Sequence, residues 1–214
     1  MQASRRMESI GRKWALGVTA PIVAGLTAVS KAAVDWEDAF AGVRKTVEAT
    51  EQQFSELNQS LRQIAERLPL THKELAGIAE AAGQLGIQVE NIESFTETMA
   101  MLGTATNMAS EEAAVALAQM ANVMQSGQRV FDRYGATVVA LGNNLATTER
   151  HIVEFGQRIA GAGRIAGLTE SQVLAIGGAF ASVGVGAEAG GTAVSKVLQS
   201  MTEAVATGNK NMQV

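Results

Sequence analysis

The feature that most constrains this chain is a 3.5-residue apolar repeat that runs without a slip from Trp36 to Leu68. Trp36, Phe40, Val43, Val47, Thr50, Phe54, Leu57, Leu61, Ile64 and Leu68 follow one another at alternating spacings of four and three, and only Thr50 is not apolar. Such a heptad keeps one stripe of a helix facing a partner and imposes a left-handed supercoil. Phe40, Val47, Phe54, Leu61 and Leu68 take the a positions, with Trp36, Val43, Thr50, Leu57 and Ile64 at d. The spacing predicts one long helix over 34–68, a rod of roughly 50 Å at about 1.5 Å per residue, ended by Pro69. Its flanking e and g sites carry few charges, so the seam is specified but its partner is not. It fits packing within the chain's own domain as well as coiling with a second chain.

Composition agrees with helices and little else. Apolar residues make up 47% of the 214, aromatics only 4%, and there are two prolines, too few for a turn-rich β fold. The core is therefore expected to be built from Ala, Val and Leu. A net charge of −4 gives no electrostatic footprint for nonspecific DNA binding. With no cysteine, disulfides, thiolate metal sites and a cysteine nucleophile are all excluded.

Ahead of the heptad, Trp14 to Ser30 (WALGVTAPIVAGLTAVS) contains no charge over 17 residues. Trp14, Leu16, Val18, Ile22, Val23, Leu26 and Val29 form the candidate membrane segment. Its length is the lower limit for a bilayer span, and Pro21, Gly17 and Gly25 weaken it. A helix packed on protein, a stretch that enters a membrane, and a signal peptide all remain open here.

After Pro69 the punctuation predicts a bundle of short capped helices. Thr71 with Glu74 forms a capping box before a helix that stops near Gly86. A second helix carries Ile92, Phe95, Met99 and Leu102 and is expected to end at Gly103. A third begins at Ser110, with Glu111 and Glu112 in its first turn, and closes by Gly127. Further runs cover Val130–Leu141, Glu149–Ile159, Glu170–Ala181 and Thr192–Ala206. The stretch LTHKELAGIAEAAGQLGI from Leu70 is matched by LTESQVLAIGGAFASVGV from Leu168, 98 residues later, and Thr169 with Gln172 repeats the capping box. That match fits a divergent duplication or two helices solving one packing problem alike. The expected organisation is an apolar segment over 1–33, the heptad helix over 34–68 and a bundle over 69–214, with similar units at 70–127 and 168–207. Twelve of the 22 glycines fall between Gly135 and Gly191. Pairs four apart, Gly163 with Gly167 and Gly186 with Gly190, suit close helix approach.

Little in the chain suggests chemistry. Gly161-Ala-Gly163-Arg-Ile-Ala166 matches a dinucleotide-binding pattern, but a helical stretch precedes it where a strand is required. His72 and His151 are solitary, and the acidic pairs sit at expected helix starts, where capping accounts for them. No nucleophile with a base stands out. The reading is an all-α, non-enzymatic protein with no catalytic residue, cofactor or metal.

Gly11-Arg-Lys-Trp14, Gly17-Val-Thr-Ala-Pro-Ile22, Asp35-Trp-Glu-Asp-Ala-Phe40 with Val43, Arg129-Val-Phe-Asp132, Gly184-Val-Gly186 and Gly190-Gly-Thr-Ala-Val-Ser-Lys-Val-Leu198 stand here in the order found in phage tail tape measure proteins. The chain resembles the N-terminal core region of that family; Trp36-Glu37 departs from a frequent Phe-Glu. The resemblance implies a helical protein of the virion, held in the lumen of the tail tube after assembly in the host cytoplasm. It would set tail length, nucleate tube assembly and assist DNA ejection, with a host-membrane encounter at that step. The implied partners are tail-tube subunits, tail assembly chaperones, baseplate or tail-tip proteins and further copies of itself, without specific nucleic-acid binding. Because the chain stops at Lys210–Val214 without a closing cap, a fragment carrying the core without most of the ruler is expected. The alternatives are a membrane-active helical protein (pore-former or effector) using 14–30, and a scaffold or adaptor binding through the heptad seam.

Overall fold

The computed structural model describes residues 34–208, and the candidate membrane segment therefore lies outside the described residues. Among the described residues the chain forms nine α-helices and no strand: α1 (34–46), α2 (Glu51–Arg67), α3 (His72–Gln84), α4 (Val89–Ala105), α5 (Ser110–Met124), α6 (Phe131–Asn144), α7 (Glu149–Ile165), α8 (Glu170–Ser182) and α9 (Ala187–Thr207).

The heptad does not form one rod. The helix breaks over 47–50 and the chain turns back on itself, so the expected long helix is two antiparallel ones. Thr50, the one polar residue of the seam, is the cause. Its side chain caps the Gln53 N–H, and the Gln53 side chain returns to the Thr50 backbone N–H at 2.9 Å. This reciprocal box starts a new helix, while the Val47 N–H closes the old one on the Val43 carbonyl. Across the turn Arg44 grips Glu51 with two hydrogen bonds, at 2.8 and 2.9 Å, and lies 4.7 Å from the Phe54 ring centre. The 3.5 repeat survives because it serves both helices: Trp36, Phe40 and Val43 on α1, with Val47 just past its end, face Phe54, Leu57, Leu61 and Ile64 on α2, and all eight are buried.

Gly103 does not end its helix either. It lies inside α4, and a Cβ there would stand 2.8 Å from the Ser110 Cα, so its role is to let the start of α5 approach. α5 closes at Met124, with Gln125 in the left-handed region at φ 53°.

The 98-residue interval seen at Leu70 and Leu168 extends through four helices. Glu51–Arg67 and Glu149–Ile165 occupy corresponding positions, as do His72–Gln84 and Glu170–Ser182; α4 and α9 begin 98 residues apart, and α1 maps onto α6. Thr50 corresponds to Thr148 and Thr71 to Thr169, each an N-cap that accepts from the third residue of its helix. Gly86 and Gly184 end their helices at φ 78° and 82°, where a Cβ would be strained. α5 stands between the two sets and packs on α3 and α4 on one side and α7 on the other. The halves are also joined directly: the Phe95 and Phe131 rings meet edge to face at 4.6 Å, and Thr98 donates to Asp132 at 2.7 Å.

Glycine-rich contacts tighten the second half. α7 and α8 run antiparallel, and a Cβ on Gly177 would stand 3.1 Å from the Gly156 nitrogen and the Ile152 carbonyl oxygen. The glycine pairs four apart do not line helix faces as expected. Gly163 is buried against Val173, but Gly167 is a left-handed helix end and Gly186 an N-cap.

Candidate interaction surface

The structure turns the heptad seam inward. Trp36, Phe40, Val43, Val47, Phe54, Leu57, Leu61 and Ile64 are buried within this one chain, and Leu68 is half-buried at its end. The indole N–H of Trp36 donates to Asn58 Oδ1 at 3.2 Å, and His72 meets the indole edge-on at 5.3 Å, which accounts for a histidine at that position. These nine residues hold α1 to α2 and offer no free stripe to another helix. The dinucleotide-like Gly161–Ala166 stretch lies along α7 and its C-cap, so its backbone follows helical geometry in place of a phosphate loop. Glu111, Glu112 and Glu154 line an open groove between α5 and α7, where Arg150 pairs with Glu112. No group of three metal-ligating side chains occurs among the described residues, and no helix there is long and apolar enough to cross a membrane.

The second side of the molecule is organised by α5. Eight of its fifteen residues are buried: Ala113, Ala114, Ala116, Leu117, Ala118, Met120, Ala121 and Met124. Small side chains let it lie close to two helix pairs at once. Polar groups then fix it at two points, near its C-terminal end and in its middle: Asn122 donates to the Leu85 carbonyl at 3.3 Å and Gln157 to that of Ala116 at 3.2 Å. In the loop that follows, Gln128 donates to the Gly86 carbonyl at 2.9 Å and accepts from the Gln88 backbone and Asn91 side chain. Ser126 donates to Glu170, and that bond holds the Glu170 carboxyl below its ordinary range.

Among the described residues, what remains uncovered is the far side of α8 and α9. α9 meets α7 through Gly190 and Gly191, which are its only buried residues, on Phe155, Arg158 and Ile159, with an Arg158–Glu188 pair at 3.1 Å. Beyond that contact an apolar stripe faces solvent: Val197 is 57% exposed, Met201 49% and Val205 83%. Val183, at the end of α8, is 74% exposed, and Phe180 lies half out, stacked on Phe155 at 5.7 Å. A stripe at spacings of four along a surface helix is an association face in form. The sequence reading placed the association face on α1 and α2; the signal for this one was the Val194, Val197, Leu198, Met201, Val205 spacing.

Compared with known proteins, residues 51–213 match the family described as phage-related minor tail protein. That match covers well over half of the sequence. The chain belongs to this family. Within the curated proteins it is similar to a "probable tape measure protein" of Halomonas phage phiHAP-1, 27% identical over 197 residues. The aligned region is 85% of this chain and 22% of that relative, so the chain spans about a fifth of the relative's length. No solved structure matches. Membership places the chain with phage tail proteins and fits a structural component better than an enzyme.

Proposed function

We propose that this minor tail protein is part of a tape measure that occupies the tail-tube lumen, sets tail length, nucleates tube assembly and assists DNA ejection. The similarity to the Halomonas phage protein across 85% of the chain carries this reading. Its partners would be tail-tube subunits, tail assembly chaperones and baseplate or tail-tip proteins, and its work would be structural, without a cofactor.

Within that protein, this region serves contact more than length. A ruler gains most length from continuous helix, at about 1.5 Å per residue. Here no described helix exceeds 21 residues, and the chain reverses after α1, after α2 and after α7. Two measurements test the proposal in a phage encoding the chain. Mass spectrometry of purified tails is expected to find its peptides, and their absence overturns the tail role. Deleting residues 108–205 is expected to block tube assembly or leave tail length unchanged. Tails shortened by about 150 Å, the span of a continuous helix of that size, would overturn the assignment of this region to contact.

A further inference from the structure

We infer that the groove between α5 and α7 is a docking site for one amphipathic helix of a partner protein, apolar along one face, basic in its last turn and antiparallel to both walls. The inference is independent of whether the chain sets tail length.

α5 and α7 run side by side in the same direction. The bonds between them follow in order: Arg150 pairs with Glu112, Gln157 donates to the Ala116 carbonyl at 3.2 Å, and Arg164 to the Val123 carbonyl at 3.4 Å. Each helix sets one row along the groove. On α5, Glu111, Val115, Gln119 and Val123 follow at spacings of four; on α7, Glu154, Gln157, Gly161 and Ile165 follow at three and four. Both rows grade alike, from a carboxylate on the N-terminal side, through a glutamine, to an aliphatic side chain on the C-terminal side. Buried Met108, Ala116 and Val153 line the floor beside the carboxylates.

Three features of this groove have no partner within the chain among the described residues. Val123 is 45% exposed and Ile165 63%; single surface aliphatics need no explanation, but these two end adjacent rows beside Gly161. Gly161 itself is not required by the fold. A Cβ there would meet only Val123 Cγ1, at an ordinary 3.9 Å, whereas Gly156 and Gly163 on the same helix are closed in by Leu174 and Val173. A glycine that weakens a helix at its open edge lets a second backbone come close. Glu111 and Glu154, finally, pair with no cation, while Glu112 and Glu188 beside them are held by Arg150 and Arg158. The helix dipole accounts for Glu111 in the first turn of α5, but Glu154 stands past the first turn of α7.

Charge and dipole choose the occupant and its direction. An apolar stripe suits Val115, Val123 and Ile165, and cations suit the two free carboxylates. Lys and Arg are favoured in the last turn of a helix, so the occupant's C-terminal end lies over the N-terminal ends of α5 and α7. The row from Glu111 to Val123 is about 18 Å long, which three to four helical turns span.

Cross-linking in cells producing the phage tests this with the full chain. A diazirine-bearing amino acid in place of Gln119, exposed in the groove, is expected to attach to one helical segment of another protein. That segment should carry apolar residues three and four apart, with Lys or Arg in its last turn. Its yield should exceed that from Gln59, exposed on α2, at least about tenfold. G161L fills the groove and is expected to lower the yield at least about tenfold with unchanged helical circular dichroism. G161A should raise the thermal midpoint and still lower the yield, a combination that a merely structural glycine does not give. E111Q/E154Q should lower the yield about fivefold at low ionic strength and less at high. A Gln119 yield no higher than that of Gln59, attachment to this chain or a second copy of it, or a segment without a basic last turn overturns the inference. So does a yield that G161L or E111Q/E154Q leaves unchanged, or that G161A raises.

Discussion

Trp36 and Asn58 are 22 residues apart in sequence and 3.2 Å apart in space, joined by an indole N–H to amide hydrogen bond. In one continuous helix they would stand about 33 Å apart. Asn58 Oδ1 also accepts from the Arg62 Nε at 2.9 Å, and the Arg62 guanidinium lies 5.4 Å from the indole centre. The pair is thus the polar latch of the α1–α2 hairpin, while the buried indole supplies its packing. Trp36→Ala is expected to cost about 3–5 kcal/mol through the lost packing and the cavity left behind. Asn58→Ala should cost about 1 kcal/mol, from a hydrogen bond near the surface. Urea denaturation followed by circular dichroism checks both; equal effects would mean that the latch, not the packing, holds the hairpin.

Thr50 gives a sharper test, because the two readings of the heptad predict opposite signs. Leucine at this position completes the apolar repeat and would stabilise a continuous helix. In the structure it removes a capping box from an exposed turn, so Thr50→Leu is expected to destabilise by about 1 kcal/mol. Thr50→Ser keeps the cap and should be nearly neutral. A rise in midpoint for Thr50→Leu would restore the rod.

These two residues also show what could be read in advance. The Thr71–Glu74 and Thr169–Gln172 boxes were visible as helix starts and stand where expected. Thr50 with Gln53 is the same signal, but an apolar period that continued on both sides concealed it. Seven-residue periodicity survives a four-residue turn that replaces one helical turn, so period alone cannot tell a rod from a hairpin. The exposed stripe of α9 was harder to read. Val197 and Met201 resemble core positions in any window, and only burial distinguishes them from Met99.

The tight α7–α8 crossing predicts glycine substitutions of opposite sign on its two helices. Gly161 lies in α7 with nothing nearer a new Cβ than Val123 Cγ1 at 3.9 Å, so Gly161→Ala should stabilise by up to about 1 kcal/mol through helix propensity. Gly177→Ala has the same propensity gain, but its Cβ would meet backbone atoms of α7 at 3.1 Å, contacts that no side-chain rotation relieves. We expect a net loss of about 1–2 kcal/mol. Thermal melts of the two variants decide this, and stabilisation by Gly177→Ala would show that the crossing is looser than described.

The last prediction follows from the one tyrosine of the chain. Tyr134 is 1% exposed, and burial pushes its phenol up to about 12, from an ordinary value near 10; the Ser126 hydroxyl 3.5 Å away acts in the opposite direction. Because there is no other tyrosine, phenolate absorbance at 295 nm reports this group alone. A midpoint near 12 is expected in the folded protein and near 10 in denaturant. Stability follows from the sign of that difference. Between 10 and 12 the unfolded chain has released a proton that the folded chain retains, so deprotonation favours unfolding and stability falls as pH rises. The contribution is complete below 10 and is lost progressively toward 12. At pH 11 the loss should be about 1 kcal/mol relative to pH 9, after allowing for partial solvation of the phenol. Tyr134→Phe keeps the ring beside Phe131, at 6.2 Å, and removes the titration. Its stability should therefore vary less than the parent's between pH 9 and 11. A parent midpoint near 10, or an unchanged pH slope in Tyr134→Phe, would show that the α5–α6 corner opens readily to water.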